Sequence, residues 1–551
     1  MSLTGGELLV AQLQREGVRH VFGIPGVQLD WAVEALRKAR DSIEFVVPRH
    51  EQTASYMADG YARTTGAEGV CMVVPGPGAL NALSGLATAY ATSSRVLFIA
   101  GQIPSAAMGR GYGLLHEIPD QSGILRSLSK WHAVARSPQE LPELVNEAFA
   151  QLRSGHPRPV ALEIPPDVLQ HVGDAGLRGR APRRPTEPAP GILQEVVTLL
   201  RGARFPVIQA GGGAAAADAG PALLELAERL QVPVVLTEGA RGLMPSRHPL
   251  VLTGLGGRAV FPHADVVVAV GTRFLDAQAR PTRSDPRCRF VYVNIDAGHC
   301  GTPRREGVAL TADARTTLEA LVEGVKDLPP RTSRAEQVAK VKAWSEVQIK
   351  RILPQSDYVD VLREALPDDA IVVSELTQVG YFANVAFPVQ RPRSFLTPGY
   401  QGTLGYGFPT SLGAAVGNPK RRVVSINGDG GFGWGLQELA TAARYALDVT
   451  IVVFADGRFG NVQRIQRRTF GQEYVTEVAN PDFQHLALAF GIPFSRVASP
   501  EGLGAALKGG TRPGPMLIEV QVGEMASPWP IIHAFVPSPA APPPNPLGEA
   551  G

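Results

Sequence analysis

Cysteine is scarce in this chain: three among 551 residues, the scattered Cys71, Cys288 and Cys300. They make no CxxC pair, no Cys/His metal spacing and no even disulfide framework, so a reducing compartment is expected. Neither sign of charge prevails. The 53 Lys and Arg against 51 Asp and Glu leave a net charge of +2, which removes the electrostatic case for nucleic acid or an anionic membrane surface. No apolar run reaches the about 18 residues of a membrane-crossing helix. The opening MSLTGGELLVAQLQREG puts an acidic residue ahead of its short apolar stretch and has no basic segment before it. A signal peptide is therefore not expected, and the cytoplasm is the expected location.

What is present reads as ordinary globular protein, with 44% hydrophobic and 19% charged residues. The length suggests roughly three or four domains. Two stretches read as linkers, the Pro- and Arg-rich 181–190 and the charged 327–335. Between them, short β-like runs alternate with helical patterns. The runs are 45–47, 70–74 and 96–100, then 207–209, 232–236, 266–270 and 290–294, then 370–374, 422–427, 449–454 and 516–520. Strands alternating with helices predict parallel sheets covered on both faces. The fold class expected is α/β with three doubly wound parallel-sheet domains, at 1–180, 191–326 and 356–536. A Pro/Ala tail, 537–551, is expected to be disordered. The first and third domains are similar in plan, without an internal sequence repeat.

The strongest chemical signal starts at Ile426. A strand ends in Gly428-Asp429-Gly430-Gly431, and a helix is predicted from near Trp434 to about Ala446. Ligands of open α/β sheets sit at such strand ends. Glycines let the backbone approach a phosphate, and helix N-terminal N–H groups point at the anion. The following strand ends at Phe454 and supplies a second carboxylate in Ala455-Asp456-Gly457-Arg458-Phe459-Gly460. Two carboxylates at adjacent strand ends suit a hard divalent cation. A lone Gly-Asp-Gly is more often a plain turn with a solvated aspartate. Here two such turns come as a pair, 24 residues between Gly430 and Ala455. A second signal, RHEQTASYMADGYAR at 49–63, puts Glu51 where a strand end runs into a helix. By itself that is an ordinary helix-start acid.

Together these segments resemble the thiamine-diphosphate-dependent enzyme family, whose signature is Gly-Asp-Gly and, some two dozen residues on, Asn-Asn. The chain is most similar in motif style to the acetolactate synthase, benzaldehyde lyase and oxalyl-CoA decarboxylase group, over roughly residues 8–522. The resemblance implies a pyrimidine-binding N-terminal domain, a central nucleotide-fold-like domain and a diphosphate-binding C-terminal domain. It implies thiamine diphosphate and Mg²⁺ as cofactors. Asp429 and Asp456 would be metal ligands, with the backbone carbonyl of Arg458 as a third. The sequence departs from the pattern at Ala455-Asp456, which replaces Asn-Asn and adds a negative charge. Gly430 and Gly431 would lie along the diphosphate. Glu51 would hold the pyrimidine N1′ proton, which is general acid–base catalysis through the cofactor.

Smaller matches carry further roles. Pro25 and Gly26 belong to the first turn against the pyrimidine, and Asn81 to the turn Pro75-Gly76-Pro77-Gly78-Ala79-Leu80-Asn81 near the ring. In Gly402-Thr403-Leu404-Gly405-Tyr406-Gly407, the Gly402 carbonyl would accept from the 4′-amine and Leu404 would wedge beneath the cofactor. Thr377 and Gln378 would contact the diphosphate. His116 falls on or beside a position where relatives place a glutamine facing the thiazolium, so it is a candidate proton shuttle. Gln28 and Glu117 are further candidates, and His50 is expected to be structural. In the middle domain the family carries FAD, ADP or nothing. Gly211-Gly212-Gly213 makes no clean G-x-G-x-x-G, so a nucleotide site is only weakly suggested.

The leading reading is acetolactate-synthase-like: decarboxylation of a 2-oxo acid and ligation of the remainder to a second carbonyl. The runner-up is a lyase or decarboxylase without ligation, of the benzaldehyde lyase or oxalyl-CoA decarboxylase kind. Readings from other classes are a flavin- or nicotinamide-binding oxidoreductase and a cofactor-binding protein without catalysis. The partner expected is a small carbonyl substrate. The resemblance also implies a homodimer or homotetramer with the active site between chains.

Overall fold

Strands covered by helices on both faces must be apolar throughout. Gly69–Val73, Val96–Gly101, Val160–Ile164 and Val266–Val270 are buried at every position. In the computed structural model, which describes residues 2–509 and 513–549, such strands form three six-stranded sheets. The fold is α/β, with three doubly wound parallel-sheet domains. Ser2–Thr4 and Val172–Asp174 add a small antiparallel pair.

The N-terminal sheet runs Glu44–Val46, His20–Gly23, Gly69–Val73, Val96–Gly101, Val160–Ile164, His132–Val134. The C-terminal sheet runs Phe395–Leu396, Ile371–Ser374, Val423–Gly428, Val449–Ala455, Met516–Gln521, Phe494–Val497. Numbered along the chain, both have the order 2-1-3-4-6-5, so the likeness in plan is one of topology. The central sheet has the dinucleotide-fold order 3-2-1-4-5-6, from Val251–Thr253 through Pro206–Ala210 to Val308–Thr311. In each sheet the order reverses beside its first strand, and the crevice at that reversal is where an open α/β sheet offers a ligand site.

The outer domains share one hydrophobic core. Helix Glu51–Thr65 packs along helix Gly407–Gly417, with Tyr56, Met57 and Ala58 against Phe408, Leu412 and Ala414. Glycines permit the approach. A Cβ on Gly60 would overlap the Thr410 carbonyl oxygen, and one on Gly413 would overlap that of Met57.

Two expectations are corrected. The single helix from Trp434 to Ala446 is instead a short helix Asp429–Phe432, a 3-10 turn Leu436–Glu438 and a helix Leu439–Arg444. Gly435, in the first turn of the expected helix, weakens it there. In addition, Glu438 is drawn inward, accepting from Arg49 N at 3.0 Å and from Thr441 Oγ1 at 2.5 Å. The tail expected to be disordered lies along the central domain as far as Glu549. Trp344 Nε1 donates to the Pro543 carbonyl at 2.8 Å, Asn545 Nδ2 donates to that of Ala259 at 3.1 Å, and Leu547 packs on the central core.

Candidate active site

The N-terminal half-site forms where strands His20–Gly23 and Gly69–Val73 end side by side. Gly26 and Gly78 both press against Val74, where any Cβ would collide with its methyl groups. This brings the Pro25-Gly26 turn against the Pro75–Gly78 turn. Glu51 is the first residue of its helix. Asn81 Nδ2 donates to Glu51 Oε2 at 3.1 Å, so two residues singled out in the sequence meet. His50 caps the same helix, its Nδ1 accepting from Gln52 N at 3.1 Å, which is the structural part expected of it.

His116 joins this half-site through its backbone. Gly76, at φ +58°, sits against the His116 carbonyl so closely that a Cβ there would overlap it. Gln28 Nε2 donates to the Leu115 carbonyl at 3.3 Å. His116 itself has φ +68°, and its Nδ1 is buried without a partner among the described residues. Glu117 Oε2 accepts from Leu114 N at 2.8 Å and so braces the loop.

Sequence reasoning missed what stands behind this loop. Gln121 Oε1 accepts from Gly76 N at 2.8 Å, while its Nε2 donates to Glu163 Oε2 at 2.7 Å. Glu163 is fully buried and also accepts from Gln102 and Ser122 and meets His132. Burial pushes its carboxyl up, but the bonds to His132, Ser122 and Gln121 outweigh that and hold it below its usual value.

The C-terminal half-site forms where strands Ile371–Ser374, Val423–Gly428 and Val449–Ala455 end. Asp429 is buried. Its Oδ1 accepts from Gly430 N at 2.8 Å, and its Oδ2 from Gly457 N and Asn480 Nδ2, both at 2.7 Å. Asp456 Oδ1 accepts from Arg458 N at 3.0 Å. Burial, and then the Asp429 charge, push the Asp456 carboxyl up to about 6. Two neighbouring carboxylates, of which Asp429 raises Asp456, form a donor set fitting a hard divalent cation, which would remove the repulsion. The loop that bears Arg458 is paired to 476–478 by Phe459 N to Thr476 O and Val478 N to Gly457 O, each at 2.8 Å. Phe459 covers Gly430, and Thr377 abuts Gly428. Gln378 Oε1 accepts from Arg464 Nη2 at 3.0 Å.

Glu375 lies beneath these loops, fully buried. It accepts from Gly405 N at 2.7 Å and Gly407 N at 3.0 Å, and thereby fixes the segment that carries Gly402 and Leu404. A Cβ on Gly431 would strike its Oε1. Burial pushes this carboxyl up to about 7 against the pull of the two N–H donors. Gly402 adopts φ +59° and Leu404 is half-buried.

The central domain differs. Gly211 and Gly213 are taken up by packing against the backbone of Gly271 and Thr272, where any Cβ would intrude. These glycines answer to a strand–helix contact, and the suggested FAD gains no support from them.

Fold and half-sites define a thiamine-diphosphate-dependent enzyme of carbon–carbon bond chemistry. Comparison with known proteins gives the family. Residues 3–124 match the thiamine pyrophosphate enzyme N-terminal TPP binding domain, 193–321 the central domain and 376–520 the C-terminal TPP binding domain. The chain is 38% identical over 506 residues to a probable 2-ketoarginine decarboxylase, AruI, of Pseudomonas aeruginosa, covering 89% of each. It is 33% identical over 536 residues to a probable acetolactate synthase large subunit of Methanocaldococcus jannaschii, covering 92% of this chain and 89% of the relative. It is 32% identical over 545 residues to the acetolactate synthase isozyme 1 large subunit of Escherichia coli, covering 96% of each. The chain belongs to the thiamine pyrophosphate enzyme family.

Proposed function

We propose that the chain decarboxylates a 2-oxo acid and joins the remaining acyl carbon to a second carbonyl, with thiamine diphosphate and Mg²⁺ as cofactors. The observation that carries this is Glu51, set at a helix start and bonded by Asn81, in a chain that also bears the Asp429–Asp456 acid pair. The assigned units are a pyrimidine domain at 1–180, a central domain at 191–326 and a diphosphate domain at 356–536. Asp429, Asp456 and the Arg458 carbonyl hold Mg²⁺. Thr377, Gln378 and the Gly430-Gly431 backbone bind diphosphate. Pro25, Gly26, Gly402 and Leu404 support the rings. When bound, thiamine diphosphate supplies the electron sink that lets a 2-oxo acid lose CO₂.

Glu51 keeps a proton at the pyrimidine nitrogen, and Asn81 orients its carboxylate. His116 is the candidate to trade a proton with the substrate oxygen, while Gln28 steadies the loop that carries it. Large apolar residues stand exposed next to both half-sites: Val27, Leu80 and Leu115 on one, Trp434, Phe470 and Tyr474 on the other. Exposed apolar surface of this kind marks an interface. It supports a homodimer or homotetramer in which Glu51 of one chain serves the diphosphate domain of another. Among the described residues, no helix is long and apolar enough to cross a membrane. Cys71 and Cys288 are buried free thiols, which fits a reducing cytoplasm.

A second reading, decarboxylation without ligation, is favoured by the 38% identity to a probable 2-ketoarginine decarboxylase. One assay separates the two. The protein with Mg²⁺ and thiamine diphosphate is given pyruvate or 2-ketoarginine, and CO₂, free aldehyde and ligated product are counted. Ligated product matching CO₂ supports the first reading, and aldehyde matching CO₂ the second. No CO₂ from any 2-oxo acid contradicts both.

A further inference from the structure

We propose that His156, Asp296 and His299 form a separate metal site, for a transition ion of the Zn²⁺ class, between the N-terminal and central domains. One ligand atom from each lies within 4.8 Å of the others, and this is the one such group of three among the described residues. None of the three belongs to the thiamine half-sites.

The local chain dictates the arrangement. Asp296 follows the central strand Arg289–Asn294 and caps the 3-10 turn Ala297–His299. Its Oδ1 accepts from Gly298 N at 3.0 Å, which turns Oδ2 outward. That oxygen lies 3.0 Å from Nδ1 of His156, which reaches over from the N-terminal domain. Ligand atoms about 2.0–2.1 Å from a tetrahedral Zn²⁺ are themselves about 3.3 Å apart, so this edge is already close to the right length. The ring of His299 stands beside that of His156, centroids 5.5 Å apart at 71°.

The outer contacts fit as well. Ser93 Oγ lies 3.0 Å from His156 Nε2. Metal-ligating imidazoles characteristically give their second ring nitrogen to such a partner, which fixes the nitrogen facing the ion. His156 Nδ1 and Asp296 Oδ2 are joined by a hydrogen bond, and a cation bound between them replaces its proton and bonds to both. All three side chains are half-buried, which leaves room for a water as fourth ligand.

The surroundings select the ion. Arg304, Arg158 and Arg273 lie near enough to act on His299, with the Asp296 carboxylate opposing them. The same arginines repel a cation held by charge alone, such as Mg²⁺ or Ca²⁺. An ion with a strong bond to imidazole nitrogen tolerates them better.

The test reads metal, not turnover. Protein saturated with Mg²⁺ and thiamine diphosphate is titrated with Zn²⁺, and bound zinc is counted by mass spectrometry alongside the melting temperature. One Zn²⁺ per chain and a raised melting temperature are expected in the wild type. Both should be lost in Asp296→Asn and in His299→Ala. Affinity there should fall by more than the ~10–100-fold that loss of an outer partner costs. His299→Ala leaves the Asp296 cap and the His156 contact in place, so it remains informative if Asp296→Asn fails to fold. No stoichiometric zinc in the wild type would overturn the proposal. So would equal uptake by His299→Ala, or uptake abolished by Asp456→Asn instead.

Discussion

Asp456 supplies a carboxylate where the family pattern has an amide, and its carboxyl is pushed up to about 6 by burial and by Asp429. Metal binding needs the ionised form. The apparent Mg²⁺ affinity is therefore expected to fall below about pH 6, by roughly tenfold per unit. Asp456→Asn should remove that dependence, as read by Mg²⁺ titration at pH 5 to 8. Glu375 titrates the other way with respect to stability. Its folded value of about 7 exceeds the reference 4.5, so the native state holds a proton that the unfolded chain has released. That contribution is fully present below about 4.5 and is lost as pH rises through about 7. Glu375→Gln should flatten the decline in melting temperature across this window. Glu51 and Asp429 could be singled out in the sequence because each sits in a distinctive local run where a strand end leads into a helix start. Asn480, Glu375 and Glu438 were not recognised. Asn480 reaches Asp429 from 51 positions away, and nothing in local spacing records that.

Among the elements, the contact between helices Glu51–Thr65 and Gly407–Gly417 governs how the outer domains sit. It relies on glycine at 60 and 413, where added atoms have no space. Gly413→Val should destabilise by about 1–3 kcal/mol or more, seen as a lower denaturant midpoint, with thiamine diphosphate affinity falling too because Glu51 starts the first helix. Most strands were legible because a strand covered on both faces must be a continuous apolar run. Seven sheet strands escaped notice, mostly short or at sheet edges, and among them is His20–Gly23, which positions Pro25 and Gly26. At the break in the expected Trp434–Ala446 helix, Glu438 also bonds Arg49 across the domain boundary, a contact that local helix propensity does not record.

At the scale of the whole molecule, the half-sites belong to two domains with the same sheet order, and each is rimmed by exposed apolar side chains. Size-exclusion is expected to give a dimer or tetramer, with activity lost on dilution to monomer. Mixing inactive Glu51→Gln with inactive Asp429→Ala should restore activity once subunits exchange, since a mixed dimer regains one intact pair. An active monomer would contradict the shared site. The most direct measurement of the central claim is CO₂ release from a 2-oxo acid by wild type and Glu51→Gln, each saturated with Mg²⁺ and thiamine diphosphate and matched in circular dichroism. The account expects Glu51→Gln to lose on the order of 10²–10⁴-fold in turnover while still binding cofactor. Turnover equal to wild type would contradict it.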